Sequence, residues 1–127
     1  MSILAAYTCT PLVRLSLASL KPGSKVKGTT IAELGAASRP IDLMVYTKDG
    51  QDYLLLSTSH RGLMKLPAAG LDQYEAITSP TDISGVPYQA IAEMTGVEQL
   101  KAFDSRRALT LIRAANGELN LKTIELP

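Results

Sequence analysis

The stretch LLLSTSHRGLMKLPA, residues 54–68, has the pattern of a β-hairpin. An apolar run comes first, a polar turn containing Gly62 follows, and apolar and polar residues then alternate. A period of two is what a strand with one buried face requires. The same pattern recurs without gaps at 3–17 and at 109–123. The chain is therefore predicted to be all-β and to contain three copies of one hairpin.

The repeat also predicts which side chains form the core. In the second strand of the hairpin, Met64 and Leu66 align with Leu119 and Leu121 of the third copy. All four alternate with polar neighbours, so all four are predicted to face the core. The turn of the third copy contains Gly117 after an asparagine, which is a strong hairpin signal because both residues tolerate a positive φ.

A second repeat, IAEL at 31–34 and IAEM at 91–94, lies outside the hairpins. The first of these fits a helix capping box, and 88–94 would fit one short helical segment. A glycine ends both stretches within about two turns, so strands are favoured over helices. The predicted strands of the two complete copies are 25–34, 41–47, 53–57 and 63–67 in one, and 88–94, 97–103, 108–114 and 118–124 in the other.

Repeats of about fifty residues with four strands each are typical of β-propeller blades. The runs KVKGTTIAELG, residues 25–35, and KDGQDYLLLSTSHRGLMKL, residues 48–66, resemble YVTN-like and NHL-like propellers and uncharacterised secreted bacterial propeller proteins. The resemblance implies one domain, an all-β partial β-propeller of about two and a half four-stranded blades. That single domain covers 1–127 and divides into a half blade at 3–17 and blades at 25–68 and 88–126.

Composition and charge argue against several classes of function. The 127 residues carry 13 Lys plus Arg against 12 Asp plus Glu, so no strong field attracts nucleic acid. No apolar run approaches the roughly 20 residues that span a bilayer, so no membrane insertion is expected. Cys9 is the single cysteine, which leaves no internal disulfide. A soluble chain is expected; its compartment stays open, with a larger periplasmic or secreted parent as one candidate.

Two acidic pairs are candidates for binding sites. Glu33 and Glu93 occupy equivalent places in the second repeat, so in a closed ring they could face one channel and share a metal ion. The simpler alternative is that both lie solvated at strand ends. Asp42 and Glu98 form a similar pair with the same two alternatives. No cofactor is expected, since no third metal ligand accompanies either pair.

His60, the only histidine, lies in the turn of the second hairpin beside Arg61. In a binding site, His60 could act as a general base and Arg61 as an anion clamp. The alternative is a pair of exposed turn residues, because no matching nucleophile or G-x-S-x-G motif accompanies them. Residues 69–87, the longest irregular stretch, are predicted to form either a loop between blades or a binding loop.

Two functions remain open on these predictions. The first is a non-catalytic propeller segment that acts in protein interaction or assembly, and the second is a piece of a propeller hydrolase or lyase with a site on the ring face. Propellers close with about four to eight blades, so two and a half blades predict a partner. The partner would be another polypeptide or further copies of the same chain, and a stable monomer is not expected.

Overall fold

All three predicted hairpins form in the computed structural model, which describes residues 1–9 and 11–127. Position 10, in the predicted turn of the first hairpin, lies outside the described residues. Strands hold 52% of the residues and no described helix reaches seven residues, so the predicted all-β class is confirmed. The strands are β1 (Ser2–Ala6), β2 (Pro11–Ser16), β3 (Thr29–Leu34), β4 (Pro40–Lys48), β5 (Gln51–Thr58), β6 (Leu63–Pro67), β7 (Ile83–Gly85), β8 (Gln89–Ile91), β9 (Val97–Ala102), β10 (Arg107–Arg113) and β11 (Leu119–Glu125).

The strands form three antiparallel sheets. The first sheet has the order β1-β2-β3-β7, the middle sheet β4-β5-β6-β8 and the last sheet β11-β10-β9. The middle sheet packs on both neighbours, because Leu54 and Leu56 of β5 belong to the core shared with the first sheet whereas Leu55 belongs to the core shared with the last. All three leucines are fully buried, which explains why β5 is a continuous apolar run.

Strand partners differ from the predicted grouping. β3, predicted to open the blade at 25–68, pairs with β2 of the first hairpin. β8 pairs with β6 rather than with β9. The hairpin at 3–17 is therefore part of a four-stranded sheet and not a half blade, and the predicted boundary at 88 does not separate two sheets.

Gly35 lies where the chain leaves the first sheet after β3. Its φ is +93°, a backbone conformation that L side chains rarely adopt. Ala37 also has a positive φ, 62°. The chain therefore turns sharply between β3 and β4, although strands joined by so short a connection usually pair with each other.

The third hairpin is displaced by one residue from the predicted alignment. Closing hydrogen bonds run from Tyr7 N–H to Pro11 O (3.0 Å), from Thr58 N–H to Gly62 O (3.0 Å) and from Ala114 N–H to Glu118 O (2.8 Å). The third hairpin thus matches the second with Ala114 on Thr58, an offset of 56 residues instead of 55. A shift of one residue exchanges the two faces of a strand.

The core prediction is confirmed for the second hairpin and wrong for the third. Met64 and Leu66 are fully buried. Leu119 and Leu121 are instead 47% and 69% exposed, because the shift turns them away from the middle sheet. Gly117 lies in the tight turn as predicted, with φ +88°.

The predicted loop 69–87 contains a strand that the sequence analysis missed. β7 pairs with β3 at the edge of the first sheet. The Ile77 N–H donates to Thr30 O (2.9 Å), and Arg14 Nη1 donates to Leu71 O (2.8 Å), so this stretch lies along the first sheet. In the described part of the chain, no helix has the length and apolar character to cross a bilayer.

Candidate interaction surface

One face of the last sheet is rich in leucine and points away from the middle sheet. On β10, Ala108 and Thr110 are buried towards the middle sheet, so the residues between and after them point outwards. Exposed leucines on neighbouring β11 continue the same face. We call this surface the outer leucine face; it consists of Leu109, Leu111, Leu119 and Leu121.

The face equivalent to the outer leucine face is covered in the other two sheets. At the offsets of 51 and 56 residues fixed by the closing hydrogen bonds, Leu119 corresponds to Leu63 in the middle sheet and to Leu12 in the first. Leu63 is buried in the core shared with the last sheet, and Leu12 in the core shared with the middle sheet. The outer leucine face is thus the contact face of the repeat, and no further sheet of the described residues packs on it.

Two polar side chains fix the last sheet on the middle sheet. Asp42 on β4 accepts one hydrogen bond from Leu100 N–H (2.7 Å) and another from Leu43 N–H (2.8 Å). Ser57 on β5 donates its hydroxyl to the carbonyl oxygen of Val97. Asp42, one of the predicted binding residues, therefore uses both carboxylate oxygens to bind backbone amides and joins the two sheets.

The segment after β11 is held by side chains of the middle sheet. Tyr46 Oη donates to Pro127 O (2.7 Å), and Lys65 Nζ donates to the same oxygen (2.9 Å). Lys48 Nζ donates to Leu126 O (2.9 Å). Because this segment continues β11 directly, these bonds fix the position of the strand that carries half of the outer leucine face.

The native chain is expected to lose stability at alkaline pH as Tyr46 ionises, and the variant Tyr46→Phe should not show this loss. Burial, and to a lesser degree the nearby Tyr53, raises the pKa of Tyr46 from 10.0 to about 12. The neutral phenol is therefore favoured in the folded state, so this stabilisation is complete below pH 10 and is lost as the pH rises towards 12. Denaturant titrations should show a steeper fall in unfolding free energy between these pH values for the native chain than for the variant.

Two further results would check this assignment. At pH 8, Tyr46→Phe should cost about 1 kcal/mol, the net value of the lost hydrogen bond. Tyr7→Phe is the matched control, since Tyr7 is 52% exposed, and it should change the unfolding free energy at pH 8 by no more than about 0.5 kcal/mol. Identical alkaline profiles for the native chain and Tyr46→Phe would contradict the assignment.

Ion pairs lie at the rim of the last sheet. Glu98, predicted as a binding residue, pairs with Arg113 at 2.5 Å and raises the pKa of that guanidinium. Asp104 pairs with Arg107 at 2.7 Å, and the hydrogen bond from the Arg107 side chain lowers the pKa of Asp104. These side chains are well exposed, so the pairs add little stability and mainly give the apolar face a charged border.

Of the two predicted metal ligands, one lies in the first sheet and the other in a turn next to the middle sheet. Glu33 is on β3, where its backbone pairs with Pro11 and Ser84. Glu93 is exposed in the turn that follows β8 of the middle sheet. Within residues 1–9 and 11–127, no group of three His, Cys, Asp or Glu side chains is placed to hold a metal ion.

His60 and Arg61 form the tip of the second hairpin. His60 is exposed, with Nδ1 2.9 Å from Ser59 Oγ. Arg61 Nη1 donates to Tyr88 Oη (3.3 Å), so the guanidinium lies over the chain that enters β8. The backbone of Ser59 donates to Arg39 O (2.9 Å), which joins the tip to the turn between β3 and β4. The tip thus contacts both the chain before β8 and the turn between β3 and β4.

Cys9 occupies the place in the first hairpin that His60 has in the second. It is an exposed free thiol at a groove of about 420 Å³. Glu33 and the segment 77–81 line the same groove. The structure therefore places Glu33, one of the two predicted metal ligands, beside the cysteine.

Comparison of the chain with protein-family models, curated proteins and solved structures finds no match. Nothing in these comparisons identifies a propeller family. The sheets and the outer leucine face are the features from which a function can be argued, and two residues of that face, Leu119 and Leu121, were predicted to lie in the core.

Proposed function

We propose that the chain is a non-catalytic β-propeller segment that acts in protein interaction or assembly. Its three sheets would be successive blades, and its partner another polypeptide or further copies of itself. The outer leucine face is the observation that carries the proposal.

Support for blades comes from the way the sheets pack. Leu4 and Leu12 of the first sheet pack towards the middle sheet, and their equivalents in the middle sheet, Leu55 and Leu63, pack towards the last. The same face of the repeat thus packs on the next sheet in both cases, as in a stack of repeats in which each unit contacts its neighbours in the same way. In an interaction segment, the equivalent face of the last sheet, the outer leucine face, packs on a sheet of the partner.

Support for assembly comes from the area left apolar. Burying an exposed leucine side chain fully is worth about 1.5–3 kcal/mol, and the outer leucine face has the exposed Leu119 and Leu121 beside two half-buried leucines. Contiguous apolar patches with a charged border are typical of protein interaction sites. The ion pairs Glu98–Arg113 and Asp104–Arg107 provide such a border.

Sedimentation equilibrium of the full chain tests this function. We expect a particle heavier than the 13.6 kDa chain, either a self-associated form or a complex with a second polypeptide. The double variant Leu119→Ser, Leu121→Ser should sediment as a folded chain of that mass, because it loses the apolar contact. Ile83→Ser is the matched control, since Ile83 on β7 is 47% exposed, as is Leu119. A native chain that is folded, monomeric and unaccompanied would contradict the proposal.

A further inference from the structure

Six strands form the ends of the three sheets in the part of the chain that the structure describes. Of these, β7 and β8 have three residues each, and β4 and β9 pack on each other, joined by the bond from Leu100 N–H to Asp42. β1 and β11 have five and seven residues and pair on one side only. A long unpaired edge is a template for a further strand, whereas a very short edge strand is a poor one.

The hydrogen-bond pattern shows which backbone groups of β11 point to its open edge. Glu118 O accepts from Ala114 N–H, and Leu126 N–H donates to Arg106 O, so even-numbered residues face β10. The odd-numbered residues of β11, among them Leu121 and Thr123, therefore direct N–H and C=O groups to the open edge.

The same reasoning applies to β1. Tyr7 N–H donates to Pro11 O, and Leu17 N–H donates to Met1 O, so odd-numbered residues face β2. The N–H and C=O groups that point to the open edge of β1 belong to Ser2, Leu4 and Ala6.

Both open edges are occupied at the equivalent places of the other sheets. The edge that is open on β11 is paired by β3 on β2 and by β8 on β6. The edge that is open on β1 is paired by β4 on β5 and by β9 on β10. Residues 1–9 and 11–127 therefore leave one edge of each kind unfilled, and every filled edge carries an antiparallel strand.

We infer that β11 of one chain pairs antiparallel with β1 of a second copy, head to tail. This inference rests on the proposed assembly function and names its partner. One contact satisfies both open edges, whereas a symmetric pairing of two β11 strands leaves both β1 edges open. The contact is heterologous, so it builds a closed ring or an open filament according to the rotation between copies.

The pairing also brings apolar residues together. Leu121 of β11 and Leu4 of β1 both direct their backbone groups to the shared edge, so in register they face each other and lie on one face of the joined sheet. Leu4 packs on the middle sheet of its own chain. The outer leucine face of the first copy therefore lies on the same side of the joined sheet as Leu4 of the second copy. The middle sheet of the second copy packs on that side.

Disulfide trapping tests which edges meet. All chains carry Cys9→Ser, so that only introduced cysteines react. Chains with Leu121→Cys are mixed with chains that carry Ser2→Cys, Leu4→Cys or Ala6→Cys, which cover the registers of β1. Strand neighbours lie within disulfide range, so one mixture should give a mixed disulfide dimer as its main oxidised product. Ile83→Cys, an exposed residue of β7 at the opposite end of the first sheet from β1, should give none above background.

A proline variant tests the same edge without a cross-link. The Thr123 N–H points to the open edge, so Thr123→Pro leaves the bonds to β10 intact but removes a donor for the second copy. We expect association to weaken about tenfold or more, with an unchanged circular dichroism spectrum. Thr123→Ala keeps the N–H and should associate like the native chain.

The outcomes separate this inference from the proposed function. A dominant disulfide between two Leu121→Cys chains would overturn it in favour of a symmetric pair. A heavier particle that contains a different polypeptide, with no mixed disulfide, would overturn the inference and leave the assembly function standing. A folded, unaccompanied native monomer would overturn both.

Discussion

Leu66→Ala is expected to lower the free energy of unfolding by about 2 to 5 kcal/mol, the range for truncating a buried leucine. Leu66 is fully buried between the first and middle sheets, in the same core cluster as Leu54, Leu56 and Met64. A cavity at this place would loosen the contact between two sheets and not only one hairpin. Denaturant unfolding followed by circular dichroism measures the loss.

Leu121→Ala is the matched variant, with the same chemical change at the position that the sequence repeat equates with Leu66. Leu121 is 69% exposed, so its loss should change the unfolding free energy by no more than about 0.5 kcal/mol. The measurement belongs at a protein concentration where both chains are monomeric, because association would add to apparent stability. Equal costs for the two variants would mean that the offset of 55 residues, and not 56, describes the third hairpin.

The local pattern of the sequence was sufficient to predict the strands of the three hairpins, although not β7. Period-two alternation located β6 and β11, and turn residues located the hairpin tips, because both depend on neighbouring side chains and backbone angles. The strand interpretation of IAEL at 31–34 is confirmed as well. The continuous burial of Leu54 to Leu56 could not be predicted from local pattern. It depends on the packing of the middle sheet between two others, which leaves this strand no face towards solvent.

Strand partners could not be read from the same pattern. β3 lies between two hairpins in sequence, and its apolar side chains would suit either neighbour. The shorter connection favours β4, but the positive φ values of Gly35 and Ala37 direct the chain into another sheet. A glycine can equally continue a loop within one sheet, so its identity alone does not reveal the crossing.

The exposure of Leu119 and Leu121 was not predicted, because the alignment without gaps matches Gly117 with Gly62. Matching Gly117 with Gly62 gives the offset of 55, but Gly62 accepts the closing hydrogen bond of its hairpin whereas Gly117 lies inside the turn. Counting from the closing pairs would have moved every leucine of the third copy to the other face. Contacts such as Tyr46 with Pro127 have no local pattern, because 81 residues separate the two.

Gly85→Ala is expected to destabilise the first sheet by about 2 to 5 kcal/mol. Gly85 has a φ of +84°, and an L-residue in that region costs roughly 1–2 kcal/mol. An added Cβ would also lie 2.0 Å from Ile31 O and 2.8 Å from Ala32 Cα, and displacing packed backbone costs about 1–3 kcal/mol more. Such close approach is what permits β7 to pair with β3.

Gly50→Ala separates the two causes of this loss. Gly50 has a similar φ of +74°, but an added Cβ meets nothing within 4 Å, so only the backbone cost of roughly 1–2 kcal/mol applies. Hydrogen exchange should show lost protection along β3 and β7 in Gly85→Ala and unchanged protection there in Gly50→Ala. If both variants lost the same stability and kept the same protection, β7 would not be packed on β3 as closely as the distance to Ile31 O requires.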